Sequence, residues 1–239
     1  MKLVVFDLDG TLTATNAVDD ECFVQALRIA FNIDLINTNW TEYSHVTDSG
    51  VMAAAFREKF GRDAEPSEAS RFIECFVSLL TEAHSTNRNS FSEIPGAAAL
   101  VAGLHKHSQW RPAIATGGWE RSARFKMAAA GIDANGIAAA FSGDGPAREM
   151  IVEGAIRKAC VKYRVSEFEK IVLVGDAIWD AQTAGRLTLP FVGIGNGEEA
   201  ALLRNAGAIA VIANFLDHEY CLECFEGAAT PNQSASRQR

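Results

Sequence analysis

Val4-Val5-Phe6-Asp7-Leu8-Asp9-Gly10-Thr11-Leu12-Thr13 decides how this chain is read. An apolar run that ends in two acids one residue apart, followed by a Gly-Thr turn, is a buried strand that carries negative charge to its carboxyl end. In open α/β sheets that end faces the crevice where ligands bind. Gly10 stops the strand, so the side chains of Asp7 and Asp9 can converge on one small volume. Converging carboxylates repel, which favours a proton on one of them or a divalent metal between them. Asp7 then suits a nucleophile and Asp9 a general acid and base. The plainer alternative is a Gly-Thr turn flanked by two solvated acids.

Far along the chain, Ile171-Val172-Leu173-Val174-Gly175-Asp176 repeats the pattern, with Asp180 four residues on. Continuous apolar character fits a parallel strand covered on both faces, and such a strand would bring Asp176 beside Asp7 and Asp9. Oxygen-only ligands select a hard cation, and few protein ligands with several waters suit Mg2+. The metal-ligand set is therefore Asp7, Asp9, Asp176 and Asp180. Asp180 has an equal reading as an acid favoured by the dipole of the helix that follows. Between the two acidic runs, Pro112-Ala113-Ile114-Ala115-Thr116-Gly117-Gly118 is a short apolar strand that ends in a hydroxyl and two glycines. Thr116, with backbone N–H groups freed by Gly117 and Gly118, can bind phosphoryl oxygens.

These stretches resemble the haloacid dehalogenase superfamily, specifically its phosphatase-like members. Asp7-Leu8-Asp9-Gly10-Thr11 is similar to the first motif, Thr116-Gly117-Gly118 to the second, and Gly175-Asp176 with Asp180 to the fourth. The third motif departs from the pattern, which usually supplies a Lys. Here Arg148, at the start of a helix predicted over 148–163, is the candidate. A guanidinium stays cationic and can grip two phosphoryl oxygens at once. Lys158, about three turns down that helix, is the weaker one. The resemblance implies an α/β fold with a Rossmann-like three-layer parallel-sheet core and an inserted all-helical cap. It also implies a Mg2+-dependent phosphohydrolase for a small phosphorylated metabolite, with an aspartyl phosphate formed on Asp7. Dehalogenases of the family need no acid at the position of Asp9. Phosphonate hydrolysis uses a cap lysine, and Lys59, the one lysine of residues 17–90, lies past the segment expected to carry it. The alternatives are a sugar-phosphate mutase of the same superfamily and a non-catalytic protein that binds a phosphorylated ligand.

The expected organisation is a core of residues 1–16 and 91–226, a helical cap over 17–90 and a disordered tail over 227–239. The cap assignment rests on helical periodicity at Cys22, Phe23, Ala26, Leu27, Ala30 and Phe31, again from Val51 to Phe60, and at Phe72, Phe76 and Leu80. Between the first two of these runs, Trp40 to Ser49 mixes aromatics, hydroxyls, an imidazole and an acid. Tyr43, His45 and Thr47 are therefore candidate substrate-binding residues, with Asp48 equally readable as a helix cap and Trp40 as packing. Trp119 and Glu120 follow the glycines of the second motif and are candidates to face the cleft.

Composition narrows the partners. The 239 residues have a formal net charge of -8, and no dense Lys/Arg stripe is present to meet nucleic acid. No apolar run approaches the ~20 residues that span a bilayer, and no leader-like start precedes the first strand, so neither a membrane nor nucleic acid is an expected partner. Five cysteines, an odd number, argue against a disulfide framework. The His218, Cys221 and Cys224 spacing reads as helix packing rather than a metal site. A cytoplasmic monomer or homodimer is expected. Val192-Gly193-Ile194-Gly195-Asn196-Gly197 reads as a strand-to-helix turn rather than a dinucleotide fingerprint.

Overall fold

The computed structural model describes residues 1–231. In chain order the elements are β1 (Lys2–Phe6), α1 (Asn16–Phe31), α2 (Asp48–Phe60), α3 (Pro66–Thr86), α4 (Ala97–Lys106), β2 (Trp110–Ala115), α5 (Glu120–Ala129), β3 (Ala138–Ala140), α6 (Arg148–Tyr163), β4 (Lys170–Gly175), α7 (Ile178–Arg186), β5 (Phe191–Ile194), α8 (Gly197–Asn205), β6 (Ala210–Ile212) and α9 (His218–Gly227). The strands form one parallel sheet in the order β3-β2-β1-β4-β5-β6. Helices cover both faces, as the Rossmann-like three-layer expectation requires.

Strand β1 lacks alternation because both of its faces are buried. Val4, Phe6 and Leu8 pack into a cluster with Leu100, Ile114, Phe215 and Phe225, whereas Leu3 and Val5 enter the opposite cluster with Ile151, Ala155 and Phe191. Each fully buried Phe or Leu contributes about 1.5–3 kcal/mol of transfer free energy. Phe6 is registered with Ile114 on one side and Val174 on the other. The chain therefore leaves β1, β2 and β4 at one level on the carboxyl edge. Asp7 N–H still donates to Val174 O at 2.9 Å, which fixes the residue at that edge.

Helices α1, α2 and α3 build a third cluster, in which Phe23 meets Phe72 at 4.9 Å and Phe76 at 5.7 Å between ring centroids. Helix α3 starts cleanly because Pro66 occupies its first turn and the Glu68 carboxylate accepts from Glu65 N–H at 2.8 Å. Helix α2 is capped by Thr47, whose hydroxyl accepts from Gly50 N–H at 3.1 Å. Asp48 is thus the first helical residue, one position past the cap.

The helical layer joins the sheet through two adjacent segments. Ala14 N–H donates to Ser92 O at 2.8 Å, Ile94 N–H donates to Leu12 O at 2.9 Å, and Thr13 bridges Glu93.

The disorder expected beyond Gly227 does not extend to residues 228–231. Gly227 closes α9, Ala228 is buried, and Ala229 O accepts from Phe191 N–H at 3.1 Å, which covers the start of β5. The expectation for 232–239 lies outside the described residues. No helix among the described residues is long and apolar enough to cross a membrane.

Candidate active site

The register brings Asp7, Asp176 and Asp180 together at the carboxyl edge, with one oxygen of each within 4.8 Å of the others. Two glycines make this approach possible. A Cβ on Gly10, which has φ +78°, would stand 2.0 Å from Asp176 Oδ2, and a Cβ on Gly175 would stand 2.4 Å from the Asp180 Cβ. Asp176 accepts from Thr11 Oγ1 at 3.0 Å and Asn16 Nδ2 at 3.1 Å. Asp180 has one oxygen at each of the two positions its readings require. One oxygen accepts from Ala177 N–H at 3.1 Å at the start of α7, while the other faces the cluster.

Arg148 lies against the acidic cluster. Its Nη1 donates to Asp7 Oδ1 at 3.1 Å and Asp180 Oδ1 at 2.7 Å, and its Nε donates to Val46 O at 3.0 Å. Lys158 lies elsewhere, paired with Asp144 at 2.8 Å and donating to Ala139 O. Arg148 comes first in a helix that runs back along the sheet, so its opening turn lies at the carboxyl edge and Lys158 lies away from it.

Three carboxylates against one guanidinium leave surplus negative charge. Burial pushes the Asp7 carboxyl up to about 7; Arg148 opposes the shift, and Asp180 and Asp9 add to it. Burial and then Asp7 push Asp176 up to about 7, and burial lifts Asp180 to about 6 despite Arg148. A hard divalent cation reverses all three shifts. The donor set of buried carboxylate oxygens fits Mg2+.

The expected fourth ligand is a correction. The Asp9 carboxylate is turned away from the three-acid cluster, with Oδ1 accepting from Thr15 Oγ1 at 2.5 Å and Oδ2 from Lys126 Nζ at 2.6 Å. Lys126 is fully buried and also reaches Asp19 Oδ1 at 2.5 Å. Burial alone favours a neutral amine, but Asp19, Asp9 and Asp48 together hold the Lys126 ammonium above its ordinary range. Burial raises Asp19 as well, and pushes Asp48 up to about 7, against the pull of Lys126.

Asp7 and Asp176 from the first set of acids, and Asp9, Asp19 and Asp48 from the second, line one cavity of about 210 Å³. Asp7, Thr116, Gly117, Gly118 and Arg148 form its sheet-side wall, and Asp19, Asp20, Phe23, Trp40 and Asp48 its helical wall. Thr116 Oγ1 accepts from Gly118 N–H at 3.1 Å, and Gly117 O accepts from Asp48 N–H at 2.8 Å. The Gly118 amide is thus engaged inside its own turn rather than turned to a ligand.

Tyr43 and His45 line a neighbouring cavity that shares Val46, Arg148 and Trp179 with this one, and the Tyr43 hydroxyl donates to Asn37 O at 2.9 Å. Thr47 does line the Asp7 cavity, but its hydroxyl caps α2 and donates to Pro146 O at 2.9 Å. Trp119 packs against the helical cluster, and its amide donates to Asp48 Oδ2 at 2.9 Å. Trp119 and Glu120 line a surface pocket away from Asp7.

Lys126 and Asp19 were not among the expected site residues, and Asp48 was equally readable as a helix cap. Helical spacing carried a signal for the first two. Lys126 shares the buried stripe of Ala123 and Met127 on α5, and Asp19 lies on the stripe of Cys22, Phe23 and Ala26 on α1. A charged residue at such a position needs a partner.

A family model of haloacid dehalogenase-like hydrolases matches residues 1–187. No curated protein matches the chain. Among solved structures, a hydrolase from Pseudomonas syringae superposes with TM-score 0.68 at 23% identity, covering 93% of this chain and 98% of its own. A putative beta-phosphoglucomutase from Bacteroides vulgatus gives 0.62 at 16% identity, covering 95% and 89%. A predicted phosphoglycolate phosphatase from Haemophilus somnus gives 0.62 at 17% identity, covering 93% and 98%. At these identities the structures share the fold.

Proposed function

Since this chain belongs to the haloacid dehalogenase-like hydrolases, we propose that it is a Mg2+-dependent phosphohydrolase for a small phosphorylated metabolite. The observation that carries the reading is Arg148, whose guanidinium spans Asp7 and Asp180 beside Asp176. A nucleophilic carboxylate flanked by a fixed cation and by further acids suits attack on a phosphoryl group, where negative charge accumulates.

Asp7 attacks phosphorus as the P–O bond to the alcohol breaks, and an aspartyl phosphate results. Asp9 gives its proton to the departing alkoxide. Asp9 then takes a proton from water, whose oxygen attacks phosphorus and breaks the Asp7–P bond to release phosphate. The Thr116–Gly117 turn and Arg148 hold the non-transferring oxygens. Mg2+, held by Asp7, Asp176 and Asp180, would supply positive charge against the transferred group. Helices α1 to α3 act as the cap that keeps bulk water out. The Cys22, Cys75, Cys160, Cys221 and Cys224 thiols are all unpaired, which suits a reducing, cytoplasmic setting.

The test is phosphate release from a panel of phosphorylated sugars, hydroxy acids and amino alcohols, with Mg2+ and with EDTA, beside Asp7→Asn. Release that needs both the metal and Asp7 supports the reading. Conversion of a sugar phosphate to its isomer without free phosphate would replace it with a mutase, and ligand binding without turnover would leave a binding protein.

A further inference from the structure

The helical wall of the cavity has a chemistry of its own, distinct from that of the phosphoryl end. Three carboxylates stand there, those of Asp19, Asp20 and Asp48, and the Asp9 carboxylate, just past the end of β1, is joined to Asp19 through Lys126. The nearby ammonium, Lys126 Nζ, is enclosed at 0% exposure between Asp9 and Asp19. Arg148, the one cation among the described residues that line the cavity, is tied to Asp7 and Asp180 at the other end. The side of the cavity that must receive the leaving alcohol therefore has a surplus of negative charge and no basic group free to meet an anion. Burial raises both Asp19 and Asp48, as expected of acids that lack enough positive charge nearby.

The same wall is aromatic. Trp40 and Phe23 both line the cavity with ring centroids 6.3 Å apart, and the Trp40 indole is fixed by its Nε1–H donating to Asp20 Oδ2 at 3.0 Å. Carboxylates beside indole and phenyl faces are the combination that recognises an ammonium group, by charge and by attraction to the ring quadrupole. A carboxylate or second phosphate on the alcohol would meet like charges instead.

We propose that this cavity selects phosphomonoesters whose alcohol carries a protonated amine, and discriminates against those whose alcohol carries an acid. The inference rests on the phosphohydrolase reading for its chemistry but on the helical wall for its selectivity.

Three esters of similar length test it: 2-aminoethyl phosphate, 2-hydroxyethyl phosphate and phosphoglycolate, assayed with Mg2+ at neutral pH. Expected kcat/KM falls in that order, with the amine about tenfold above the alcohol, as for one added charge contact of about 1.4 kcal/mol. Asp20→Asn should narrow the amine-to-alcohol ratio several-fold. Calorimetric binding of the same three compounds to the Asp7→Asn protein should follow the same order. Release from all three esters with a flat or reversed order would overturn the selectivity and leave the hydrolase standing. The expected order in binding with no release by the unmutated protein would overturn the hydrolase and leave the selectivity. An Asp20→Asn ratio equal to that of the unmutated protein would remove this wall from the account.

Discussion

Arg148 and Lys126 flank one cavity, and each is a buried cation set among carboxylates. Arg148 bridges Asp7 and Asp180, whereas Lys126 bridges Asp9 and Asp19. The difference lies in what remains available. Arg148 is 16% exposed and has five N–H donors, of which the contacts to Asp7, Asp180 and Val46 engage only two of its nitrogens. Lys126 is sealed, with a compact ammonium facing acids on more than one side. One cation can therefore meet a ligand, while the other holds its own neighbours together. Similar charge counts thus give one centre open to a ligand and one closed around its own cation, with Asp9 held at the edge of the closed one.

The largest expected effect breaks the reactive centre. Asp7→Asn should lower phosphate release by roughly 10⁴-fold or more, with the melting temperature maintained or raised, because a nucleophile acts as part of a unit. Breaking the sealed centre should add a loss of stability to a loss of activity, since Lys126 also holds Asp9. Lys126→Met leaves Asp9, Asp19 and Asp48 buried without their cation, and should cost about 3–5 kcal/mol of stability in a denaturant titration. Arg148→Lys sharpens the distinction, since a point charge cannot reach Asp7, Asp180 and Val46 O together. A loss of about 10²-fold in kcat is expected, of the order found for removing one transition-state donor.

A smaller effect concerns pH. Asp7, Asp48 and Asp176 are raised to about 7 and Asp180 to about 6, all above the ordinary value of 3.8. The folded protein then binds more protons than the unfolded chain between these limits. Stability in EDTA should fall as pH rises from about 4 to about 7. Mg2+ at a hundredfold excess over its Kd at pH 8 should restore about 2.7 kcal/mol there, and the same concentration should restore less at pH 5. Thermal scans at the two pH values, with and without metal, read this directly. Equal metal stabilisation at both values would contradict the assigned ligand set. Smallest of all, Lys158→Ala removes a half-exposed pair with Asp144 and should change stability by at most about 1 kcal/mol, with kcat unaltered.

How much of this was legible in the sequence depended on whether the deciding contact was local. Strands β1, β2 and β4 were readable because apolar runs that end in acids or glycines carry their own boundaries. Arg148 was readable because a helix start has a defined position relative to the sheet. The fate of the Asp9 side chain was not, since it is set by Lys126, 117 positions away, and by Thr15. The cavity that Tyr43 and His45 line was not legible for a related reason. Their loop has little repeating structure, and contacts such as Tyr43 to Asn37 O and Trp40 to Asp20 decide which cavity it lines. Periodicity marked Lys126 and Asp19 as charges on buried stripes, but it could not tell that they would meet.

The paired crossing at Ala14–Ser92 and Leu12–Ile94 has a mechanical consequence. Two parallel tethers resist torsion far better than they resist bending, in the manner of a door hung on two pins. A swing of α1 to α3 about that line would have to part the packing of α3 on Phe125 and Ala129 of α5. Asp19 and Asp20, a few residues beyond the pins, travel the shortest arc, while α2 travels a longer one. Traffic into the cavity would pass on the α2 side, where the seam to be parted is made of polar contacts such as Ser49 to Ser142 and Thr47 to Pro146. Water can replace such contacts one for one.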